Sequence, residues 1–169
     1  MRRDRLFVAA ALLCIGAAPA SQRPPAFDAR ARALDGDTVS VDFRLLGVDA
    51  FERRQQCMRA NSCWPCGKAA QDLASKSLKD GNATIRLTPG RSYGRPVAIV
   101  TVAGRDLGET MIRAGLAIPE AQYLRSDPAR SSRYQAAFRE AQARKAGGFA
   151  GRWLAPANWR RGARLACER

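Results

Sequence analysis

The sequence predicts an α+β fold in which a small β-sheet curls into a barrel and helices follow it along the chain. The first half contains short runs that alternate apolar and polar residues or are rich in β-branched residues. The second half contains apolar residues at helical spacing, and no internal repeat or second domain is visible. With 169 residues, of which 46% are hydrophobic, the chain has the size and composition of one globular domain.

The first twenty residues have the organisation of a signal peptide. A basic start is followed by a mostly apolar run at 6–17 and by the small-residue cleavage site Ala18-Pro19-Ala20. Because the run is short for a membrane span, a retained anchor is the less favoured alternative. We therefore expect residues 1–20 to be removed and the protein to be exported, periplasmic or secreted, with no stable membrane association.

Three segments are predicted as strands. Residues 39–45 alternate apolar and polar side chains, and residues 83–88 and 97–102 are rich in β-branched residues. Asp35-Gly36-Asp37 predicts a turn before the first of these strands, and residues 53–65 are expected to form a cysteine-containing loop.

Three further segments are predicted as helices. Residues 68–79 carry a stripe of small apolar side chains. The second helix begins at Asp106, which opens a capping-box pattern, and the third begins at Asp127-Pro128, an N-cap followed by a proline. Residues 156–169 remain as a basic C-terminal tail.

Charge and residue types restrict the possible functions. The 29 Lys and Arg residues outnumber the 15 Asp and Glu residues, and the net charge of +14 favours polyanionic partners such as nucleic acid. The chain contains no histidine, which excludes Ser-His-Asp and Cys-His sites, His-ligated zinc and histidine-based nucleases. Catalysis would depend on carboxylates, Arg, Lys, Tyr, Cys or an oxygen-ligated metal.

Four cysteines remain once the signal peptide, which contains Cys14, is removed: Cys57, Cys63, Cys66 and Cys167. An even number of cysteines in an oxidising compartment predicts two disulfides, with three possible pairings. The Cys63-Trp64-Pro65-Cys66 sequence also resembles a redox-active pair, although no βαβ pattern surrounds it. A disulfide-exchange protein is therefore an alternative function.

Two clusters of residues carry the candidate chemistry. One comprises Asp35-Gly36-Asp37-Thr38 and the segment from Arg44 to Glu52, R-L-L-G-V-D-A-F-E, and the other is Tyr93-Gly94-Arg95. In this order they resemble the staphylococcal-nuclease-like (thermonuclease) family, whose signature runs D-G-D-T, R-L-x-G-[IV]-D-x-P-E and [DN]-x-Y-G-R. The resemblance covers about residues 28–155, and it implies a five-stranded OB-type barrel with three α-helices.

The resemblance also implies a metal site and a catalytic base. Asp37, Asp49 and the backbone carbonyl of Ala50 would hold Ca²⁺, a hard cation that prefers oxygen ligands. Glu52 would be the general base that activates the attacking water.

Two arginines and two tyrosines complete the implied site. Arg44 and Arg95 would bind the phosphate and offset charge in the transition state, and Tyr93 and Tyr123 would contact the nucleotide. The implied activity is calcium-dependent endonucleolytic and exonucleolytic hydrolysis of DNA and RNA by a monomer, with 3′-phosphorylated products.

The sequence departs from the family pattern at three places. Phe51 replaces the proline before Glu52, which predicts a less rigid turn, and Arg91 replaces an acid. Asp37 and Arg44 are only seven residues apart, an interval that predicts a shortened hairpin and a shift of Arg44. These departures favour an alternative: a catalytically decayed OB-fold module that binds nucleic acid without cleaving it.

Overall fold

The computed structural model describes residues 26–79 and 82–168, so the signal peptide predicted at residues 1–20 lies outside the described residues. The described residues form short strands and four α-helices, which confirms the α+β class. The strands are β1 (Ala31–Ala33), β2 (Val39–Val41), β3 (Arg44–Leu45), β4 (Val48–Ala50), β5 (Cys57–Arg59), β6 (Ser62–Trp64), β7 (Ala83–Ser92), β8 (Arg95–Val102), β9 (Arg105–Asp106) and β10 (Ala117–Pro119). The helices are α1 (Cys66–Lys79), α2 (Leu107–Arg113), α3 (Pro128–Ala143) and α4 (Pro156–Arg160).

Strand β8 is the centre of the largest sheet. It pairs antiparallel with β7 and β9 and parallel with β3, and its side chains alternate between buried and half-buried positions. Tyr93 and Gly94, at φ 52° and 76°, form a two-residue turn between β7 and β8. Positive φ at both positions gives the turn the twist of the flanking strands, and glycine adopts such an angle without a steric penalty.

Helices α2 and α3 begin where the sequence predicts, whereas α1 begins at Cys66, two residues before its predicted start. Asp106 accepts a hydrogen bond from the Glu109 backbone N–H at 3.1 Å, and Asp127 accepts one from the Arg130 backbone N–H at 2.9 Å. Helices α2 and α3 pack against each other, and the buried Tyr134 on α3 donates its hydroxyl to Asp106 Oδ1 at 2.8 Å. Within the described residues, no helix is long and apolar enough to cross a membrane.

Two of the sequence predictions for irregular and extended segments are wrong. Residues 39–45 do not form one strand, because β2 pairs with β1 whereas β3 joins β8 in another sheet. Phe43, between them, turns inward and packs against the core. The expected loop at 53–65 contains the β5–β6 hairpin, in which Cys57 lies opposite Trp64.

The four cysteines form two bridges, Cys57–Cys66 and Cys63–Cys167. The Cα atoms of each pair are 5.6 Å apart, a normal separation for a disulfide. Because Cys63 and Cys66 belong to different bridges, the structure contradicts the alternative of a redox-active Cys-x-x-Cys pair.

The C-terminal segment, expected from the sequence to be a basic tail at 156–169, is folded against the domain. Helix α4 begins at the buried Pro156, and Leu165 is also buried. The Trp159 indole N–H donates to a Glu168 carboxylate oxygen at 3.0 Å, and the disulfide joins Cys167 to β6. These contacts place α4 beside β4, where the candidate site lies.

Candidate active site

A cleft of about 500 Å³ lies beside β4 and the end of the β7–β8 hairpin. Four residues singled out by the sequence line it: Arg44, Asp49, Tyr93 and Tyr123. Arg160, on helix α4, also lines it. The fold therefore brings residues from distant parts of the chain to one concave surface.

Asp49 is the buried charge of this cleft, with only 2% of its surface exposed. The Arg44 Nη2 donates to Asp49 Oδ1 at 2.7 Å. Arg160 donates from Nη1 to Oδ1 and from Nη2 to Oδ2, both at 2.9 Å. A carboxylate this deeply buried requires charge compensation, and here two guanidinium groups provide it.

Arg160 also reaches the candidate general base. Its Nη1 donates to Glu52 Oε1 at 2.6 Å, so one nitrogen contacts both carboxylates. Hydrogen bonding to Asp49, and then to Glu52, raises the pKa of Arg160 above its ordinary value. The guanidinium is therefore a permanent cation between Asp49 and Glu52.

The backbone that carries Glu52 is held closely on two sides. Its N–H donates to the side-chain oxygen of the fully buried Gln55 at 3.0 Å, and the Gln55 amide donates to the Leu154 carbonyl at 2.8 Å. Gly67, in the first turn of α1, approaches so closely that an added Cβ would lie 1.7 Å from the Glu52 carbonyl oxygen. Only glycine allows this approach.

Phe51, which stands where the family has a proline, packs into the core beside this turn. Its ring is buried, at centroid distances of 6.3 Å from Phe149 and 6.0 Å from Trp153. Edge-on aromatic contacts of this kind stabilise beyond simple burial of surface. The turn is thus fixed by side chains from the far end of the domain.

The two tyrosines are the most accessible aromatic residues of the cleft. Tyr93 at the β7–β8 turn is 84% exposed, and Tyr123 is 64% exposed. Both rings are available to stack on a flat ligand such as a nucleobase.

The model of the family described as staphylococcal nuclease homologue matches residues 42–149. The chain belongs to this family. The matched region contains Arg44, Asp49 and Glu52, whereas Asp37 and Arg160 lie outside it.

This staphylococcal nuclease homologue resembles two curated proteins of Bacillus subtilis (strain 168). It is 33% identical to Endonuclease YncB over 97 residues, covering 51% of this chain and 44% of that protein. It is 32% identical to the SPbeta prophage-derived endonuclease YokF over 97 residues, covering 51% of this chain and 31% of that protein. The match thus spans less than half the length of either relative.

In this chain, Arg95 and Arg91 have different surroundings. Arg44 is aligned with Val97 in the parallel pair of β3 and β8, so Arg95, two residues before Val97, lies on the same face of the sheet as Arg44. Arg95 is half-buried but does not line the cleft. Arg91 lines the cleft and pairs with the exposed Asp28 at 2.8 Å.

Asp37 lies apart from this cluster, at the exposed tip between β1 and β2. The Asp35 carboxylate accepts hydrogen bonds from the backbone N–H groups of Thr38 at 2.7 Å and Asp37 at 3.2 Å. Hydrogen bonding by Thr38, and then by Asp37, holds the pKa of Asp35 below its ordinary value. Over residues 26–79 and 82–168, no three acidic or cysteine side chains form a metal-ligating group, so Asp37 does not join Asp49 and Glu52 in one.

Sequence reasoning did not single out Gln55, Gly67 or Arg160 as site residues. None follows a periodic pattern, and Arg160 is 111 residues from Asp49. Its only sequence signal is its position in a cluster of arginines and tryptophan near the C-terminus, and this cluster resembles an ordinary solvated terminus.

Proposed function

We propose that the protein is an exported, calcium-dependent nuclease that hydrolyses DNA and RNA phosphodiester bonds and releases 3′-phosphorylated products. One observation carries the proposal: Arg44 and Asp49 line a single cleft together with two exposed tyrosines, and Arg160 bridges Asp49 and Glu52. Both curated relatives are named endonucleases, which supports the same class of reaction.

Glu52 is the proposed general base. Its Oε1 accepts from Arg160, whereas its Oε2 accepts no hydrogen bond from the described residues. Glu52 is also one-third exposed, so water can reach Oε2 and transfer a proton to it as the phosphorus is attacked. The turn held by Gln55 and Gly67 keeps this carboxylate in place.

Arg44 is the proposed phosphate-binding residue within the cleft. Only its Nη2 is used in contacts with Asp49 and the Val48 carbonyl, so within the described chain Nη1 and Nε keep their hydrogens for a phosphate. These remaining N–H donors can bind phosphate oxygens and stabilise the charge that develops there. Arg95, on the same face of the sheet, is proposed as the second such donor.

The tyrosines are proposed to bind the nucleotide bases. Stacking of bases on aromatic rings tolerates any base sequence, and the positive net charge of the chain attracts the phosphate backbone. This combination suits a nuclease that accepts both DNA and RNA.

The chemistry of the carboxylates fits a hard divalent cation, because Asp49 and Glu52 already hold a cationic group, Arg160. In this proposal Asp49 and the Ala50 carbonyl would hold Ca²⁺, with Asp37 as a third ligand that the described arrangement keeps apart from them. The bound ion would supply positive charge that polarises the phosphate. Two disulfides are typical of an oxidising compartment and support export.

The decisive experiment is a cleavage assay of the purified protein on labelled DNA and RNA, with Ca²⁺ and with excess EGTA. Cleavage is expected only with Ca²⁺, and phosphatase treatment should convert the 3′-phosphate ends of the products to hydroxyls. Glu52→Gln should abolish turnover but leave binding intact, because the amide cannot accept the proton. Glu120→Gln, which changes another carboxylate lining the cleft, is the matched control and should retain activity.

The position of Asp37 favours a second candidate, a module that binds nucleic acid without cleaving it. This candidate predicts salt-dependent binding of DNA and RNA with no cleavage under any divalent cation. Cleavage in EGTA, or full activity of Glu52→Gln, would contradict the proposed mechanism.

A further inference from the structure

We propose that Arg160 is a built-in cation of the active site that competes with Ca²⁺ for Asp49. The proposal rests on the proposed function, since it assumes that Ca²⁺ binds at Asp49. It makes the C-terminal segment a determinant of metal affinity.

The contacts of Arg160 are those of a counter-ion. Both oxygens of Asp49 accept from its guanidinium, and one oxygen of Glu52 accepts from the same Nη1. A residue serving only as a phosphate clamp would keep most of its N–H donors out of contact with carboxylates, as Arg44 does with Nη1 and Nε within the described chain. Arg160 instead directs both of its terminal nitrogens at carboxylates.

These contacts place Arg160 in competition with a metal. A cation that binds Asp49 requires lone pairs of the two oxygens that now accept from Arg160. Positive charge in the same place also repels Ca²⁺, and the low dielectric around a buried carboxylate strengthens that repulsion. Bound Ca²⁺ and the bridging geometry of Arg160 therefore exclude each other.

Arg160 is held in this position by a folded segment. Pro156 and Leu165, on either side of it, are both buried, and the Cys63–Cys167 bridge fixes the segment beyond them. Glu168 accepts from the backbone N–H of Gln56 at 3.1 Å, which ties the segment to the chain just after the candidate base. Because the segment is anchored, Ca²⁺ must displace the side chain rather than a mobile tail.

The matched control is the neighbouring Arg161. It carries the same charge on an exposed side chain, and its guanidinium contacts the Asn158 side chain rather than the carboxylates of the site. Arg161→Ala thus removes one charge near the site without removing the competitor.

The test is calorimetric titration of Ca²⁺ into the disulfide-bonded protein, combined with thermal unfolding in EGTA and in excess Ca²⁺. Arg160→Ala should bind Ca²⁺ about tenfold or more tightly than wild type, equivalent to about 1.4 kcal/mol. Arg161→Ala should stay within about twofold of wild type, since an exposed charge contributes little. Arg160→Lys, which keeps the charge but loses the fork, should lie between wild type and Arg160→Ala.

Unfolding separates this role from a merely structural one. Arg160→Ala should lose stability in EGTA and regain it in Ca²⁺, with a larger gain than wild type, because tighter binding to the folded state stabilises more. Equal Ca²⁺ affinity in the Arg160→Ala and Arg161→Ala variants would overturn the proposal, as would weaker binding by Arg160→Ala or an unfolded state in both conditions. If neither wild type nor any variant binds Ca²⁺, the calcium dependence of the proposed function fails as well.

Discussion

Replacement of Arg44 by lysine tests the phosphate-binding role most directly. Arg44 is about a quarter exposed, with a side-chain exposure of 27%, and its Nη2 donates to Asp49 at 2.7 Å. The Arg44→Lys variant keeps the charge and can keep this single contact. It loses the additional N–H donors at Nη1 and Nε, which have no partner within the described chain.

The expected effect on rate is large and the effect on stability is small. Loss of a donor that stabilises developing charge in the transition state costs about 10²–10³-fold in kcat. Asp49 keeps both of its hydrogen bonds from Arg160, so the loss in free energy of unfolding should be only about 1 kcal/mol.

Initial rates on a labelled oligonucleotide at saturating Ca²⁺ give kcat and KM separately, and urea unfolding gives the stability. Arg91→Lys is the matched control, because Arg91 lines the same cleft but pairs with the exposed Asp28. A kcat for Arg44→Lys equal to that of wild type would refute the reasoning. So would an effect confined to KM, since it would indicate binding shared by the ground state and the transition state.

Three further predictions concern the cleft, the C-terminal bridge and the core. Tyr123→Ala should raise KM about tenfold with little change in kcat, whereas Tyr123→Phe, which keeps the ring, should behave as wild type. Equal kinetics of the two variants would argue against stacking. The double variant Cys63→Ala/Cys167→Ala should lower the free energy of unfolding by about 3–5 kcal/mol in urea denaturation, because the bridge closes a loop with a sequence separation of 104. A loss below about 1 kcal/mol would show that the C-terminal segment is held without the bridge. Burial raises the pKa of Tyr134 above its ordinary value of 10.0, so the unfolded state loses this proton first and stability should fall as pH rises past about 10. In Tyr134→Phe this part of the pH dependence of the free energy of unfolding should vanish. If the free energies of unfolding of the two proteins fall in parallel as pH rises, the attribution to Tyr134 is contradicted.

The sequence by itself determined the local features of this protein. The helix starts at Asp106 and Asp127 depend on side-chain hydrogen bonds that span only three residues. The β-branched runs at 83–88 and 97–102 lie within β7 and β8, as predicted. The absence of histidine and the order of the motifs restrict the possible catalytic sites without any information on contacts.

The tertiary structure decided the long-range features, because they depend on contacts that no local pattern encodes. Alternation in residues 39–45 predicts a strand but not its partners, and the two ends of this segment pair in different sheets. The cysteines allowed three pairings until the fold brought Cys63 to Cys167. Arg160 reaches Asp49 only because burial of the C-terminal segment offsets the entropy of ordering it, and that burial depends on surfaces assembled from the whole domain.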